Sequence, residues 1–271
     1  MHVAFATLPG GVRANEDWAG AAGGVVAVLD GISAADGNTR CRHGVPWYVH
    51  QLGVAFLTAA SDADNSLSKA LALAITHVAA QHPECDLSHG GTPSATIAAL
   101  RITTSRVEYL VLSDAVLLLD FGDSLKVVTD SQVESVAAAE RAETRRHAIG
   151  SAEHRQAVQE LVQAQRKLRN QPGGYWVVAA NPEAARHAVI GAVARSDVVQ
   201  AALLTDGASR LVDAFGLATW REVMELLATA GPQALINKVR AVEDTDSDGQ
   251  RWPRYKRSDD ATAALVVVNG T

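Results

Sequence analysis

The chain has 271 residues, with 24 Lys or Arg against 30 Asp or Glu, a formal net charge of −6 and a pI near 5.8. That balance argues against a broad electrostatic footprint for nucleic acid or an anionic membrane. Two cysteines, Cys41 and Cys85, are too few for a disulfide framework, and neither opens a C-x5-R loop because Trp47 and Gly91 stand where the arginine belongs, which excludes the usual thiolate phosphatase signature.

The N-terminal MHVAFATLPGG lacks a basic region and a full apolar stretch, and no apolar run has bilayer length. The expectation is a cytoplasmic, reduced protein without a membrane segment. No linker or repeat interrupts the chain, so residues 1–271 read as one domain.

HVAFAT and GVVAVLD read as strands, the second almost continuously apolar, as a strand covered on both faces is. A helical pattern runs from Val45 to about Ala60. A second helix follows in NSLSKALALAITHVAA, capped by Asn65 or Ser66 and striped by Leu67, Leu71, Ala74, Ile75 and Val78. SATIAALRI, RVEYLVLS, AVLLLDF and LKVVTD follow with short polar turns and predict an antiparallel meander. Helix is predicted from Gln132 to Arg169, then strands at YWVVAA and VVQAALLTD. Two more helices carry Trp220, Val223, Met224 and Leu227, then Leu235, Ile236 and Val239, with Gly231-Pro232 between them. ATAALVVV is a final strand. Strands and helices come in blocks, which favours an α+β fold of sheet on sheet with helices outside.

Two of the strand-like runs end alike, in AVLDGIS (Ala27 to Ser33) and LLTDGAS (Leu203 to Ser209). A carboxylate at the end of a buried strand is costly unless paired or bound to a cation, and glycine lets the backbone turn sharply and exposes its carbonyl. With Asn15-Glu16-Asp17 and Asp259-Asp260, four acidic motifs lie at strand edges. Two carboxylates roughly 4 Å apart repel by about 4 kcal/mol at an effective dielectric near 20. Their convergence therefore calls for a hard divalent cation, and oxygen-only ligands select Mg²⁺ or Mn²⁺ over zinc.

The ordered series VRANED, VLDG, GGTPSATIAAL, YLVLSDAVLLL, LLTDGAS and SDDATAALVVV, from Arg13 to Val268, resembles that of the metal-dependent PPM-type serine/threonine protein phosphatases. The resemblance implies a four-layer αββα sandwich, two antiparallel sheets with flanking helices, and a binuclear Mn²⁺ or Mg²⁺ site. By motif, Asp17, Asp30, the Gly31 carbonyl, Asp206 and Asp259 would hold the metals, Asp114 a third and weaker one, and Glu16 would order water. Arg13 falls one residue nearer the acidic pair than the phosphate-binding arginine of that family, and is assigned to phosphate binding and catalysis. The implied partner is a phosphorylated protein. Ile32-Ser33-Ala34-Ala35 replaces the family's glycine pair and leaves no histidine at Ile32 as general acid, and Ser113-Asp114-Ala115 replaces Gly-Asp-Ser. These departures keep open a non-catalytic module that binds a phosphorylated partner.

RWPRYKR, Arg251 to Arg257, supplies further cations, of which Arg254 and Arg257 are expected to assist phosphate binding. The span 131–169, locally basic, reads as a helical insert or cap that selects substrates. Three other signals are discounted. DTDSDG lacks the EF-hand glutamate, since Tyr255 takes its place, and reads as a solvated acidic loop. His82, Cys85 and His89 have loose zinc spacing but no evident fourth partner. His147 and His154 read as surface residues.

Overall fold

The computed structural model describes residues 1–32 and 40–268. Ten strands and eight α-helices follow one another as β1 (His2–Leu8), β2 (Trp18–Ala22), β3 (Val25–Ile32), α1 (Val45–Ala60), α2 (Leu67–Ala79), β4 (Ser94–Ile102), β5 (Arg106–Leu112), β6 (Val116–Asp120) and β7 (Leu125–Val128), then α3 (Gln132–Ser135), α4 (Ala138–Thr144), α5 (Ala152–Leu168), β8 (Val189–Ala194), β9 (Gln200–Leu204), α6 (Asp206–Asp213), α7 (Trp220–Ala230), α8 (Pro232–Thr245) and β10 (Ala261–Val267). They form two five-stranded sheets, ordered β1-β10-β9-β6-β7 and β2-β3-β4-β5-β8. Every strand pairing is antiparallel.

The layering follows from the two-residue period of the strands. In β3, Val25, Ala27 and Leu29 face α1 and α2 and pack on Leu52, Phe56, Leu71 and Ile75. Val26 and Val28 point the other way, into a second core shared with Leu117, Leu119, Leu203 and Val266 of the facing sheet. That sheet repeats the pattern: Leu118, Leu204 and Ala263 turn outward against Leu227, Leu235 and Ile236 of α7 and α8. Three apolar layers thus separate four layers of secondary structure, which is the α+β sandwich expected.

The helix starts are legible locally. Ser66 caps α2 by accepting from Lys69 N, and Thr219 and Glu222 form a reciprocal capping box on α7. Gly231 takes φ +84°, a left-handed value that suits glycine, and breaks the chain between α7 and α8.

The expected meander is corrected. β4 and β5 form a hairpin in one sheet, whereas β6 and β7 form a hairpin in the other, and the chain crosses between sheets at Ser113-Asp114-Ala115. Ser113 adopts φ +66° there, so a turn that looked like a hairpin loop is a change of layer. YWVVAA is not a strand either. It makes only single bridges, Tyr175 to Arg169 and Val178 to Ala95, and the edge strand of that sheet is β8, with residues VIGAVA. The helical stretch after Gln132 is divided into three, α3, α4 and α5.

Candidate functional site

All the acidic motifs lie at one end of the sandwich. Trp18 pairs with Leu29, so continuing the register sets Asp17 beside Asp30 at the edge of one sheet. In the other, Leu204 pairs with Ala263, which brings Asp206, at the first turn of α6, beside the segment preceding β10 that carries Asp259. Thr205 Oγ1 donates to Asp17 Oδ2 at 2.8 Å and so ties the two sheets together at this point.

The two glycines answer why Asp-Gly occurs twice, and not as the sequence suggested. Neither Gly31 nor Gly207 has a positive φ. Space is the reason instead: a Cβ on Gly31 would lie 2.4 Å from the Glu16 carbonyl oxygen, and one on Gly207 would lie 1.9 Å from that of Asp260. Each glycine lets a neighbouring acidic segment pass against the strand end. Gly31 N donates to the Glu16 carbonyl at 3.1 Å. Asp260 fixes the same loop from the other side, accepting from Gly10 N at 2.7 Å and Glu16 N at 2.6 Å.

Electrostatics identify the carboxylates that share one space. Burial pushes the Asp17 carboxyl up to about 7, with Asp259 and Asp260 adding to the rise against hydrogen bonds from Thr262 and Thr205. Burial, then Asp206, Asp17, Asp259 and Asp114, hold Asp30 well above the carboxylate range. Asp206 is raised by burial and by Asp259, and Asp114 to about 6 by burial, with Glu134 nearby. Asp259 goes the other way, because Lys256 and Arg210 outweigh its burial. Its Oδ1 accepts from Lys256 Nζ at 2.6 Å and its Oδ2 from Arg210 at 3.1 Å. Among the described residues, Asp17 Oδ1 and Asp206 Oδ1 are buried without a hydrogen-bond partner. Two orphaned acceptor oxygens among mutually repelling carboxylates suit a hard cation. Among the described residues no three of these carboxylates bring oxygens within 4.8 Å of one another.

The expected cations are distributed differently. Arg13 is exposed and has no hydrogen bond or ion pair among the described residues. Arg254 is corrected outright. It is buried, and its guanidinium donates to the carbonyls of Arg257, Trp252, Glu243 and Asp246 and, at 2.8 Å, to Asp246 Oδ2, leaving no donor for phosphate. Arg257 is exposed and paired with Asp244 at 3.0 Å. Two cations face the carboxylates, the buried Arg210, which is also paired with Glu243, and Lys256, half-exposed. Against the cost of desolvation, Asp259 and, less strongly, Asp30 and Asp206 hold its ammonium above the ordinary range. The sequence signal was present, since Lys256 lies in RWPRYKR three residues before Asp259. Of the Ile32-to-Ala35 departure, Ser33 to Ala35 lie outside the described residues.

The span 131–169 docks on that same loop. Arg141 is buried and hydrogen-bonded to Glu134, the Val133 carbonyl and Tyr255 Oη. His154, expected on the surface, is buried with Nε2 3.2 Å from the Arg254 carbonyl. Asp246, expected to be solvated, is buried and accepts from Arg251 N, Trp252 N and Arg254.

No protein-family profile and no curated protein matches the sequence. Comparison with solved structures places the fold among the PPM-type serine/threonine phosphatases. The serine/threonine phosphatase PstP/Ppp of Mycobacterium tuberculosis superposes with a TM-score of 0.59 at 15% identity, over 99% of both chains. The catalytic domain of PstP in complex with two manganese ions gives 0.58 at 16%, over 99% of this chain and 98% of that one. The PPM Ser-Thr phosphatase MsPP of Mycobacterium smegmatis, in complex with cacodylate, gives 0.52 at 17%, over 99% of both.

Proposed function

We propose that the chain is a metal-dependent phosphatase that hydrolyses phosphoserine or phosphothreonine in proteins and acts in the cytoplasm. The observation that carries this reading is the meeting of Asp17, Asp30, Asp206 and Asp259 at one end of the sandwich, with orphaned oxygens on Asp17 and Asp206. The phosphatase fold and the two manganese ions of the PstP complex support it. These four carboxylates and the Gly31 carbonyl would hold two Mn²⁺ or Mg²⁺ ions, with Asp114 available to a third. Such ions would supply Lewis acidity, lowering the pKa of a water and offsetting charge on the phosphoryl oxygens.

The chain's own residues supply the rest. The Glu16 backbone is fixed by Asp260 and Gly31, which sets its carboxylate where it orients water. Lys256 stands beside Asp259 and meets the phosphate as a point charge. Arg13, exposed at the rim, engages the phosphate as it arrives, and the cap at 131–169 bears on which phosphoprotein is accepted.

One observation favours a second reading, a non-catalytic module that binds a phosphorylated partner: Lys256 already neutralises Asp259. Turnover separates the two. Purified protein is assayed on phosphopeptides with and without Mn²⁺, alongside Asp206→Asn. Mn²⁺-dependent release of phosphate that disappears in the variant is expected. Binding without turnover refutes the enzyme.

A further inference from the structure

Away from the carboxylates, two loops bring together four side chains of a different chemistry. Cys41 and His43 lie in the segment leading into α1, and His82 and Cys85 in the turn after α2. Asp86 N donates to the Arg40 carbonyl at 3.3 Å and holds the loops together. His43 Nδ1 is 3.7 Å from both Cys41 Sγ and Cys85 Sγ. Cys41, His43 and His82 each offer a ligand atom within 4.8 Å of the others, the only such set among the described residues.

His82 is the independent pointer. It is 4% exposed, its Nδ1 lies 2.9 Å from the Val78 carbonyl, and its Nε2 is buried without a partner among the described residues. A carbonyl only accepts, so Nδ1 carries the proton and Nε2 presents a bare lone pair. A backbone carbonyl on one ring nitrogen with the other left open is the arrangement of metal-binding histidines. The second histidine is also held, since the His43 ring stacks on Trp47 with centroids 4.2 Å apart.

We propose that Cys41, His43, His82 and Cys85 form a structural zinc site. Tetrahedral zinc, with bonds of about 2.3 Å to sulfur and about 2.0 Å to nitrogen, sets sulfur and nitrogen about 3.5 Å apart. The two sulfur-to-nitrogen separations of 3.7 Å are already near that value. Two thiolates and two neutral imidazoles bring the complex to zero net charge, suiting a half-buried position, and binding releases the two thiol protons. Sulfur and nitrogen donors select zinc, where the oxygen cluster selects Mg²⁺ or Mn²⁺. The chain therefore holds two metal sites of opposite softness. The zinc staples the segment that leads into α1 to the turn that follows α2.

The test uses the reduced, metal-free full chain with Zn²⁺ or Co²⁺ as the probe. Titration against a chromophoric chelator should give about one tight zinc per chain. Cobalt should show thiolate-to-metal charge transfer and intense tetrahedral d–d bands, and X-ray absorption of the zinc form should show two sulfur and two nitrogen neighbours. Cys85→Ser should abolish the charge-transfer band of the four-ligand complex or reduce its intensity by half, His82→Gln should weaken zinc binding at least tenfold, and Asp206→Asn should leave both readouts unchanged. Because X-ray absorption is read on the unmutated chain, a variant that misfolds does not obscure the answer. The proposal is overturned by an oxygen-only shell, by zinc lost in Asp206→Asn but retained in Cys85→Ser, or by a reduced chain that takes up no zinc.

Discussion

Replacing Asp17 by Asn should stabilise the metal-free protein, and increasingly so as pH rises. In the fold the Asp17 carboxyl titrates at about 7 against 3.8 in the unfolded chain. The folded state therefore binds more protons than the unfolded one throughout that window, and stability falls as pH rises through it. At ~1.4 kcal/mol per unit, the penalty grows from about 2 kcal/mol at pH 5 to about 4 kcal/mol at pH 8. Asn keeps an oxygen to accept from Thr205 but carries no charge, so the variant escapes the penalty. Urea denaturation in EDTA at both pH values measures it. The variant should exceed the wild type at pH 8 by on the order of 4 kcal/mol, with a smaller gap at pH 5. Adding Mn²⁺ should favour the wild type, because a ligand that binds only the folded state stabilises it. Parallel pH curves for the two proteins would refute the reasoning.

Lys256→Gln should raise KM for a phosphopeptide about tenfold and reduce its salt dependence, as read from steady-state kinetics across a salt series. Arg254→Ala should act on stability instead. It leaves the buried Asp246 carboxylate unpaired, and breaking such a pair costs about 3–5 kcal/mol in urea denaturation. Hydrogen bonds from Arg251 N and Trp252 N, together with Arg254, hold Asp246 below the carboxylate range against its burial. That contribution is present above the unfolded pKa and is lost as pH falls through the folded value, so the acid limb of the wild-type stability curve should flatten in the variant. Gly207→Ala drives a methyl against the Asp260 carbonyl and should cost at least about 1–3 kcal/mol, with Mn²⁺ binding by calorimetry weakened in parallel.

The strand ends were legible because polarity changes abruptly there: continuous apolar runs stop at Asp30 and Asp206, and both stops lie in the acidic cluster. β8 was not, because it is an edge strand of small and half-exposed residues with no strong alternation, while YWVVAA has the composition of a strand but finds only single bridges. Arg254 and Arg257 look alike in sequence. Only burial beside Asp246 tells that one is structural, and no local pattern carries that information. The cysteine and histidine set shows the same limit. His82 and Cys85 were read with His89, their neighbour along the chain, but His89 Nδ1 accepts from Gly91 N, and the completing residues arrive from some forty positions upstream.

The apolar character of both faces of the inner strands has a consequence for pairing fidelity. In β3, Val25 to Leu29 are buried whichever way they point, so sliding the strand by one residue against β4 exchanges one set of aliphatic side chains for another. Such a slip is ordinarily forbidden because it turns polar residues inward, and over most of this strand there are none to turn. Asp30, opposite Thr96, and the threonines Thr205 and Thr262, which exchange hydrogen bonds where β9 meets β10, are the marks against which alignment is read. A displacement of one position would turn the Asp30 carboxylate from the side that faces the other sheet to the side packed on the apolar residues of α1 and α2. The charged end of the sandwich therefore acts as an alignment key during folding, before any ligand has bound.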